Sequence, residues 1–343
     1  MRVLMTVLAV LLAGVGVVLF VAQDRGDGRG VAAFPPITAQ PGAAQPGAAP
    51  PGGGAPRFER LAEPARTVVR DAAGTTLATF TDGARTAVLT GPSRTLAEPR
   101  FTTATVTTTA WVRLLPRPWS PNAETEPWFT PWFDQHRGSA EPDVLAVATQ
   151  YLDGAPNEAD ADGVRYRGDA SFGPVAASGA GRLERSDFYD YLGVRHTFAD
   201  RTTGTPDPER LRAVDCSGFV RLVYGYRLGY PLLPGNKPGP GLPRRAYAIA
   251  DSGPGVLVVP NEHRRAAAYT ALQPGDLVFF EVEDDEATLD HAAVYLGVDN
   301  TGHHRFISSR ERANGPTMGD LGGTSLLDDG GHYSLAWRAA RRI

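Results

Sequence analysis

The chain has 343 residues, of which 34 are basic and 38 acidic, so that its net charge is −4. No excess of basic residues exists to attract nucleic acid or an anionic membrane surface, and partners of those two classes are not expected. Hydrophobic residues make up 42% and charged residues 21% of the sequence, which is typical of a globular protein.

The first 22 residues predict a membrane segment. Arg2 is followed by a predominantly apolar run over residues 3–22, and a helix of about 20 such residues spans the hydrocarbon core of a bilayer. The run is longer than the apolar core of a signal peptide, about 7–15 residues, and Phe20-Val21-Ala22 is a poor cleavage site. We expect an uncleaved signal-anchor over 1–22, with the rest of the chain outside; a cleaved signal peptide is the alternative.

Residues 23–57 are rich in proline, glycine and alanine. The sequence QPGAA occurs twice, at 40–44 and at 45–49. Such a composition offers no side chains from which a core could be built, so we expect a disordered linker that acts as a spacer.

Residues 58–140 look like a small β-rich N-terminal region. The stretches 67–70 and 76–80 have strand character and flank a turn at 71–74 (DAAG). Residues 87–89 and the threonine-rich run 101–112 predict two more strands.

Four of the five tryptophans lie between residues 111 and 132, with prolines interleaved. They could form a surface on which a glycan stacks. They could instead anchor an irregular connector in a domain interface. Large aromatic side chains are more often used in the second way, because their burial contributes much to a core.

The remainder, residues 141–343, predicts a second and larger domain. A helical apolar stripe begins at Asp143 and ends at Asp153-Gly154. Residues 155–212 are rich in glycine and aspartate and lack long periodic segments, which indicates an extended insertion.

The only cysteine, Cys216, lies in the sequence DCSGFV at 215–220. A lone thiol in an exported chain cannot form an internal disulfide, and a nucleophile is the favoured interpretation. Asp215 is a plausible N-cap, so Cys216 would lie in the first helical turn, where the free N–H groups favour a thiolate. The carboxylate of Asp215 acts against that effect. The small residues Ser217 and Gly218 would let a substrate carbonyl approach closely.

A cysteine nucleophile needs a base, which is usually histidine. The sequence PGDLVFF at 274–280 indicates a turn that leads into a buried strand, and HAAVYLG at 291–297 a second strand that starts at His291. A third strand follows near 305–308. We expect these strands to form an antiparallel meander packed on the cysteine helix.

These three motifs resemble, in order and spacing, those of the NlpC/P60 family of papain-like cysteine peptidases, over residues 143–310. The resemblance implies an α+β fold with the cysteine on a helix packed on an antiparallel sheet that bears the histidine. It also implies hydrolysis of peptidoglycan stem peptides, commonly between D-γ-glutamate and a diamino acid, without a cofactor.

Carried over by position, Cys216 is the nucleophile and His291 the general base and acid. The third position of the family orients the histidine and is usually His, Asn or Gln after an aromatic–aliphatic pair. Here residues 306–307 are followed by Ser308, which we predict for this role. His304 faces the same side by strand alternation and is the alternative.

The resemblance also predicts substrate-binding residues. Ser217 follows the nucleophile, and Arg244 ends a Leu-Pro-Arg motif whose usual polar successors are missing here. Tyr166 resembles the aromatic residue that precedes the cysteine and helps to hold the oxyanion, with the insertion 174–212 between them. That insertion would be a wall or lid of the cleft, or a surface loop.

His303 and His304 are adjacent but do not predict a metal site. Neighbouring strand residues face opposite sides, and no cluster of carboxylates or cysteines accompanies them. No metal and no other cofactor is expected.

The sequence thus predicts an exported cysteine peptidase acting on peptidoglycan, either held in the cell membrane by the N-terminal helix or secreted into the cell wall. One alternative is a catalytically weak or inactive wall-binding or scaffold protein on the same fold. A second is an acyltransferase that uses the same Cys–His pair.

Overall fold

The computed structural model describes residues 55–283 and 288–343, all of which lie in the compact unit 49–343. The predicted signal-anchor and residues 23–54 of the predicted linker lie outside the described residues. Among the residues described, none of the helices combines the length and the apolar character that crossing a bilayer would demand.

The N-terminal part of the unit is a five-stranded antiparallel sheet in which the strands follow chain order. Its strands are β1 (Arg57–Leu61), β2 (Arg66–Arg70), β3 (Thr76–Thr81), β4 (Thr86–Ala97) and β5 (Thr105–Leu114). The predicted turn at 71–74 joins β2 to β3. The strand predicted over 101–112 begins only at Thr105, because the chain first turns at Glu98, whose carbonyl oxygen accepts from the N–H groups of Phe101 and Thr102.

Aromatic side chains form the core of this sheet, together with helix α1 (Phe129–His136). The ring of Trp119 stacks on Phe80 with centroids 4.3 Å apart, and its Nε1 donates to Thr67 Oγ1 at 3.0 Å. Phe129 packs on the same two rings. Trp119 is fully buried, so it belongs to the core and offers no surface to a glycan.

Asp143 fastens the sheet to helix α2 (Val144–Thr149). Its Oδ1 accepts from Ala146 N at 3.0 Å as the N-cap, while Oδ2 accepts from Val112 N at 2.6 Å and from Arg94. The predicted helix is shorter than expected, because after Thr149 the backbone bonds tighten into single turns and do not continue the helix.

The segment predicted as an extended insertion contains only short elements. They are β6 (Glu158–Ala159), β7 (Arg165–Arg167), α3 (Phe188–Leu192), β8 (His196–Thr197) and β9 (Thr203–Gly204). The loop before α3 runs very close to the cysteine helix. A Cβ at Gly218 would lie 2.2 Å from the carbonyl oxygen of Ser186, so this contact requires glycine.

Cys216 begins helix α4 (Cys216–Val220), which continues as a π-helical stretch, Arg221–Arg227. Helix α5 (Ala246–Ser252) follows. Phe219, Val223 and Tyr224 are buried, as the apolar spacing predicts, and they pack in the main hydrophobic core.

The second sheet lies beneath α4 and has the strand order β10-β15-β11-β12-β13-β14. The strands are β10 (Val256–Val259), β11 (Leu277–Phe280), β12 (His291–Val298), β13 (His304–Arg310), β14 (Gly315–Thr317) and β15 (Trp337–Arg342), the last preceded by helix α6 (His332–Ala336). The expected antiparallel meander corresponds to β11, β12 and β13. Strand β15, which was not expected from the sequence, lies between β10 and β11.

A buried ion pair of the second sheet is also bonded to the first sheet. Nε and Nη2 of Arg342 each lie 2.8 Å from a carboxylate oxygen of Asp276, the acidic residue of the PGDLVFF motif. Nη1 of the same arginine donates to Thr81 Oγ1 on β3 at 2.8 Å. The side chains of Arg342 and Asp276 are only 2% and 1% exposed, so neither charge has water as an alternative partner.

Replacing Arg342 should therefore be costly. We expect Arg342→Met to lower the free energy of unfolding by about 3–5 kcal/mol, because Asp276 would be left buried without a counter-charge. Arg60→Met is the matched control: its pair with Asp82 has side chains 41% and 23% exposed, and its loss should cost about 1 kcal/mol or less. Urea denaturation measures both; equal losses would contradict this account.

Candidate active site

The carboxylate of Asp215 holds the start of the cysteine helix. Its Oδ1 accepts from Gly218 N at 2.7 Å, and its Oδ2 accepts from Arg244 Nη2 at 2.7 Å and from Arg185 N at 3.0 Å. Burial acts to raise the pKa of Asp215, but the charge and hydrogen bonds of Arg244 outweigh it and hold the pKa below its usual value. The N-cap is therefore ionised at neutral pH.

The thiol of Cys216 lies against the start of β12. Its Sγ is 3.6 Å from the carbonyl oxygen of Asp290, to which the thiol donates, and the N–H of Ala292 also approaches the sulfur. Cys216 is 4% exposed. Burial raises the pKa of the thiol, and the carboxylates of Asp215 and Glu184 raise it further. In this structure the position at the start of α4 does not overcome burial, so the resting cysteine is a neutral thiol.

His291 is the first residue of β12 and is 7% exposed. Its ring centroid lies 5.7 Å from that of Phe280 and 5.3 Å from that of Tyr333. Burial, followed by the charge of Arg310, lowers the pKa of His291 to about 3. Its Nε2 is buried and has no hydrogen-bond partner within residues 55–283 and 288–343. The resting imidazole is therefore neutral.

Ser308, the predicted orienting residue, is engaged elsewhere in the structure. It is fully buried on β13, and its Oγ accepts from Nε of Arg310 at 3.1 Å. A buried guanidinium needs acceptors more strongly than a neutral imidazole does. Strand alternation places Ser308 and Arg310 on the same face of the sheet. The guanidinium of Arg310 therefore donates to the Ser308 hydroxyl oxygen. The structure thus does not bring Ser308 into a hydrogen bond with His291.

His304, the alternative, also lies away from His291. It is paired across the sheet with Val298, at the opposite end of β12. Its Nδ1 forms a 2.7 Å hydrogen bond with the hydroxyl of Tyr295. The neighbouring His303 faces Asp328, at 3.1 Å, so the two adjacent histidines have separate partners.

The three predicted substrate-binding residues have partners within the protein. Ser217 Oγ accepts from Nη1 of Arg244 at 2.8 Å, beside the Asp215 carboxylate that the same arginine binds. The hydroxyl of Tyr166 donates to Glu158 Oε2 at 2.7 Å. In the structure Arg244 therefore braces the cysteine helix, and binding of substrate by these residues stays a prediction.

A family model matches residues 202–319, a segment that contains α4, α5 and the strands β9 to β14. The family is NlpC/P60. The resemblance seen in the three motifs is thereby confirmed for this part of the chain. Proteins of this family are generally cell-wall peptidases.

Solved structures of two NlpC/P60 proteins are similar to this chain. A lipoprotein-like protein of Staphylococcus aureus subsp. aureus Mu50 is 22% identical and covers 46% of this chain, with a TM-score of 0.24; the match spans 38% of that protein. An NlpC/P60 family protein from Bacillus cereus ATCC 10987 is 14% identical, with 83% of this chain and 78% of that one covered and a TM-score of 0.26. No curated protein matches the chain.

Two residues near His291 were not predicted from the sequence. One contacts its ring and the other influences its charge. Arg310 lies within the NlpC/P60 segment, two residues after Ser308, and continued strand alternation could have pointed to it. Tyr333 lies on α6, beyond residue 319 where the NlpC/P60 match ends. No motif or spacing in the sequence connects it to the site.

The buried neutral histidine predicts how stability depends on pH. An unfolded imidazole takes up a proton near pH 6.5, whereas His291 stays neutral down to about pH 3. The unfolded state therefore binds more protons between these values, and stability falls as the pH is lowered through that window, by at most about 1.4 kcal/mol per pH unit from this group. We expect His291→Gln to flatten the measured slope by about that amount.

Urea denaturation between pH 4 and pH 7 measures that slope. Phe280→Leu is the matched control, because it disturbs the same ring contact but removes no titrating group. It should lower stability and keep the wild-type slope. An unchanged slope in His291→Gln would show that the histidine is not buried in its neutral form.

The buried thiol predicts low reactivity in the folded protein. Since Cys216 is the chain's single cysteine, alkylation by iodoacetamide reports on it alone. We expect alkylation at pH 8 to be at least about tenfold slower in the folded protein than in urea, because the thiolate is the reactive form. A folded protein that reacts as fast as the unfolded chain would contradict the neutral, buried thiol.

Proposed function

We propose that the protein is an exported cysteine peptidase that hydrolyses amide bonds in peptidoglycan stem peptides. The observation that carries the proposal is the placement of the Cys216 sulfur against the backbone that leads into His291, at 3.6 Å from Asp290 O. Membership of residues 202–319 in a family of cell-wall peptidases supports the substrate class.

In the proposed reaction, neutral His291 accepts the thiol proton as the sulfur of Cys216 attacks the substrate carbonyl. A carbon–sulfur bond forms, and the carbonyl π electrons move to oxygen. The backbone N–H of Cys216 is one of the amides at the start of α4 that have no partner within the helix, and it would donate to this oxyanion.

The tetrahedral intermediate then collapses, the carbon–nitrogen bond breaks, and His291 gives its proton to the leaving amine. A water molecule attacks the resulting thioester while His291 takes the water's proton. Loss of the thiolate releases the carboxylic acid, and the proton returns to Cys216. A base that is neutral at rest suits both proton transfers.

We further propose that the bond cut is the one between D-γ-glutamate and a diamino acid. Besides the family resemblance, charges beside the cysteine helix support this. Arg245 Nη2 and Glu184 Oε2 form a 3.0 Å ion pair whose two side chains are partly exposed. The stem peptide carries free carboxylate and amine groups that would pair with these two side chains.

The proposed place of action is outside the cell membrane. The apolar run at 3–22 and the proline- and glycine-rich spacer after it support this. The predicted N-terminal helix would anchor the protein in the membrane. If that helix is cleaved, the protein would be released from the membrane.

The decisive test is digestion of purified peptidoglycan by the full chain and by single variants. We expect Cys216→Ala and His291→Ala each to reduce peptide release by roughly 10³-fold or more, because nucleophile and base act as a unit. His304→Ala is the matched control, because His304 lies at the opposite end of the β12–β13 pair from His291. Its peptide release should stay near that of the wild type. Mass spectrometry identifies the bond; release that persists in Cys216→Ala would rule the mechanism out.

A second candidate, a wall-binding protein without catalysis, is favoured by one observation. His291 Nε2 has no partner in the described part of the chain, and Arg310 disfavours a charged imidazole. Cosedimentation with insoluble peptidoglycan separates the two. If the wild type and Cys216→Ala both sediment with the wall and neither releases peptides, the binding function is correct and the peptidase proposal is wrong.

A further inference from the structure

The imidazole of His291 is held in a way that its own hydrogen bonds do not explain. Its buried Nε2 lacks a partner among the described residues, and the hydroxyl oxygen of Ser308 accepts from Arg310. A ring without an orienting hydrogen bond can turn about its side-chain torsions, and misplacing a proton acceptor is costly for the rate. Some other contact must fix the plane of this ring.

Tyr333 supplies such a contact. Its ring centroid lies 5.3 Å from that of His291, with an angle of 37° between the planes. Tyr333 is itself buried, and it packs edge-on against Phe280 at 5.6 Å and Phe306 at 5.4 Å. These neighbours restrict its movement, so it presents a fixed surface to the imidazole.

Arg310 holds Tyr333 from another direction. Its guanidinium carbon lies 4.7 Å from the centre of the tyrosine ring, within the range of a cation–π interaction. The guanidinium is fixed in turn by Ser308 Oγ, by the carbonyl oxygen of Gly323 and by Ser325 Oγ. A Cβ at Gly323 would lie 3.1 Å from Cε2 of Tyr333, so the backbone also lies directly against the ring.

We propose that Tyr333 is a positioning residue that orients His291 through ring contact, in place of a hydrogen-bonding third residue. In this arrangement Ser308 affects His291 only indirectly. It binds Arg310, and Arg310 in turn contacts Tyr333. The inference rests on the proposed function, because it concerns the same proton acceptor.

The ring of Tyr333 also helps to keep water away from His291. The other groups whose charge influences the imidazole are Arg310 from β13, His332 from α6 and Asp215 from the N-cap of α4. Burial is the largest influence that holds the His291 pKa low. A smaller, flexible side chain at position 333 would admit water to His291. The pKa of His291 would then rise, and its imidazole would lose its fixed orientation.

The test compares Tyr333→Leu, which removes the ring, with Tyr333→Phe, which removes only the hydroxyl. Tyr269→Leu is the matched control, because the ring of Tyr269 stacks on His304 at 4.8 Å in the same sheet. NMR titration of the imidazole nitrogens in the labelled full chain follows His291 without any need for activity. Steady-state cleavage of a peptidoglycan-derived peptide gives kcat and KM separately.

We expect Tyr333→Leu to raise the titration midpoint of His291 by about one pH unit or more and to lower kcat by about tenfold or more with little change in KM. Tyr333→Phe and Tyr269→Leu should stay within about twofold of wild-type kcat, with the His291 midpoint unmoved. A merely structural role would lower stability in both leucine variants and leave the His291 titration unchanged.

An unmoved His291 midpoint in Tyr333→Leu overturns the proposal. A Tyr333→Phe variant whose kcat falls as far as that of Tyr333→Leu also overturns the proposal, because the hydroxyl and not the ring would then be responsible for the effect. Should Tyr333→Leu not fold, Tyr333→Met is measured in the same way, with the same outcomes. If wild type cleaves no peptide, the proposed function fails, and the NMR titration still decides whether Tyr333 controls His291.

Discussion

The structure of the site depends on the buried carboxylate of Asp215. It caps α4, accepts from the backbone of Arg185 in the insertion, and binds the guanidinium of Arg244 before α5. Arg244 reaches on to Asp187, the N-cap of α3, which also pairs with the fully buried Arg221. Three segments distant in sequence are thereby tied to the residue before the nucleophile, and breaking such a buried set leaves uncompensated charge.

The same burial determines the chemical state of the reacting pair. Cys216 and His291 are both removed from water, and burial favours the uncharged form of each group. In the proposed reaction, proton transfer must then coincide with attack on the carbonyl. As the proposed nucleophile, a neutral Cys216 is protected from oxidation and stray electrophiles, since those reactions need the thiolate.

The parts of the site that could be predicted are those governed by local rules. A capping aspartate before a short apolar helix and a histidine at the head of a period-two strand are visible in a few residues each, so the positions of Cys216 at the start of α4 and His291 at the start of β12 could be predicted. The hydrogen-bond partner of Ser308 could not be predicted, because its hydroxyl accepts from Arg310, whose position depends on the fold. Tyr333 comes from a helix that no local pattern links to β12.

The fold shows the same division. The meander of β11, β12 and β13 connects strands that are neighbours in sequence, and alternation with turn residues reveals them. For the tryptophan-rich segment around Trp119 the sequence left two possibilities, a glycan-binding surface and a buried anchor. Composition could not decide between them, because it does not show which side chains are buried. Strand β15 was missed, since at least three other strands separate it in sequence from its partners β10 and β11.

That strand has a consequence for when the site can form. β15 comes last in sequence among the six strands, yet it lies inside the sheet, bonded to β10 on one side and to β11 on the other. Until residues 337–342 are available, β10 has no neighbour and β11 keeps an open edge. Pairings so distant in the chain are slow to form. During synthesis the sheet beneath Cys216 therefore cannot close before residues 337–342 have left the ribosome.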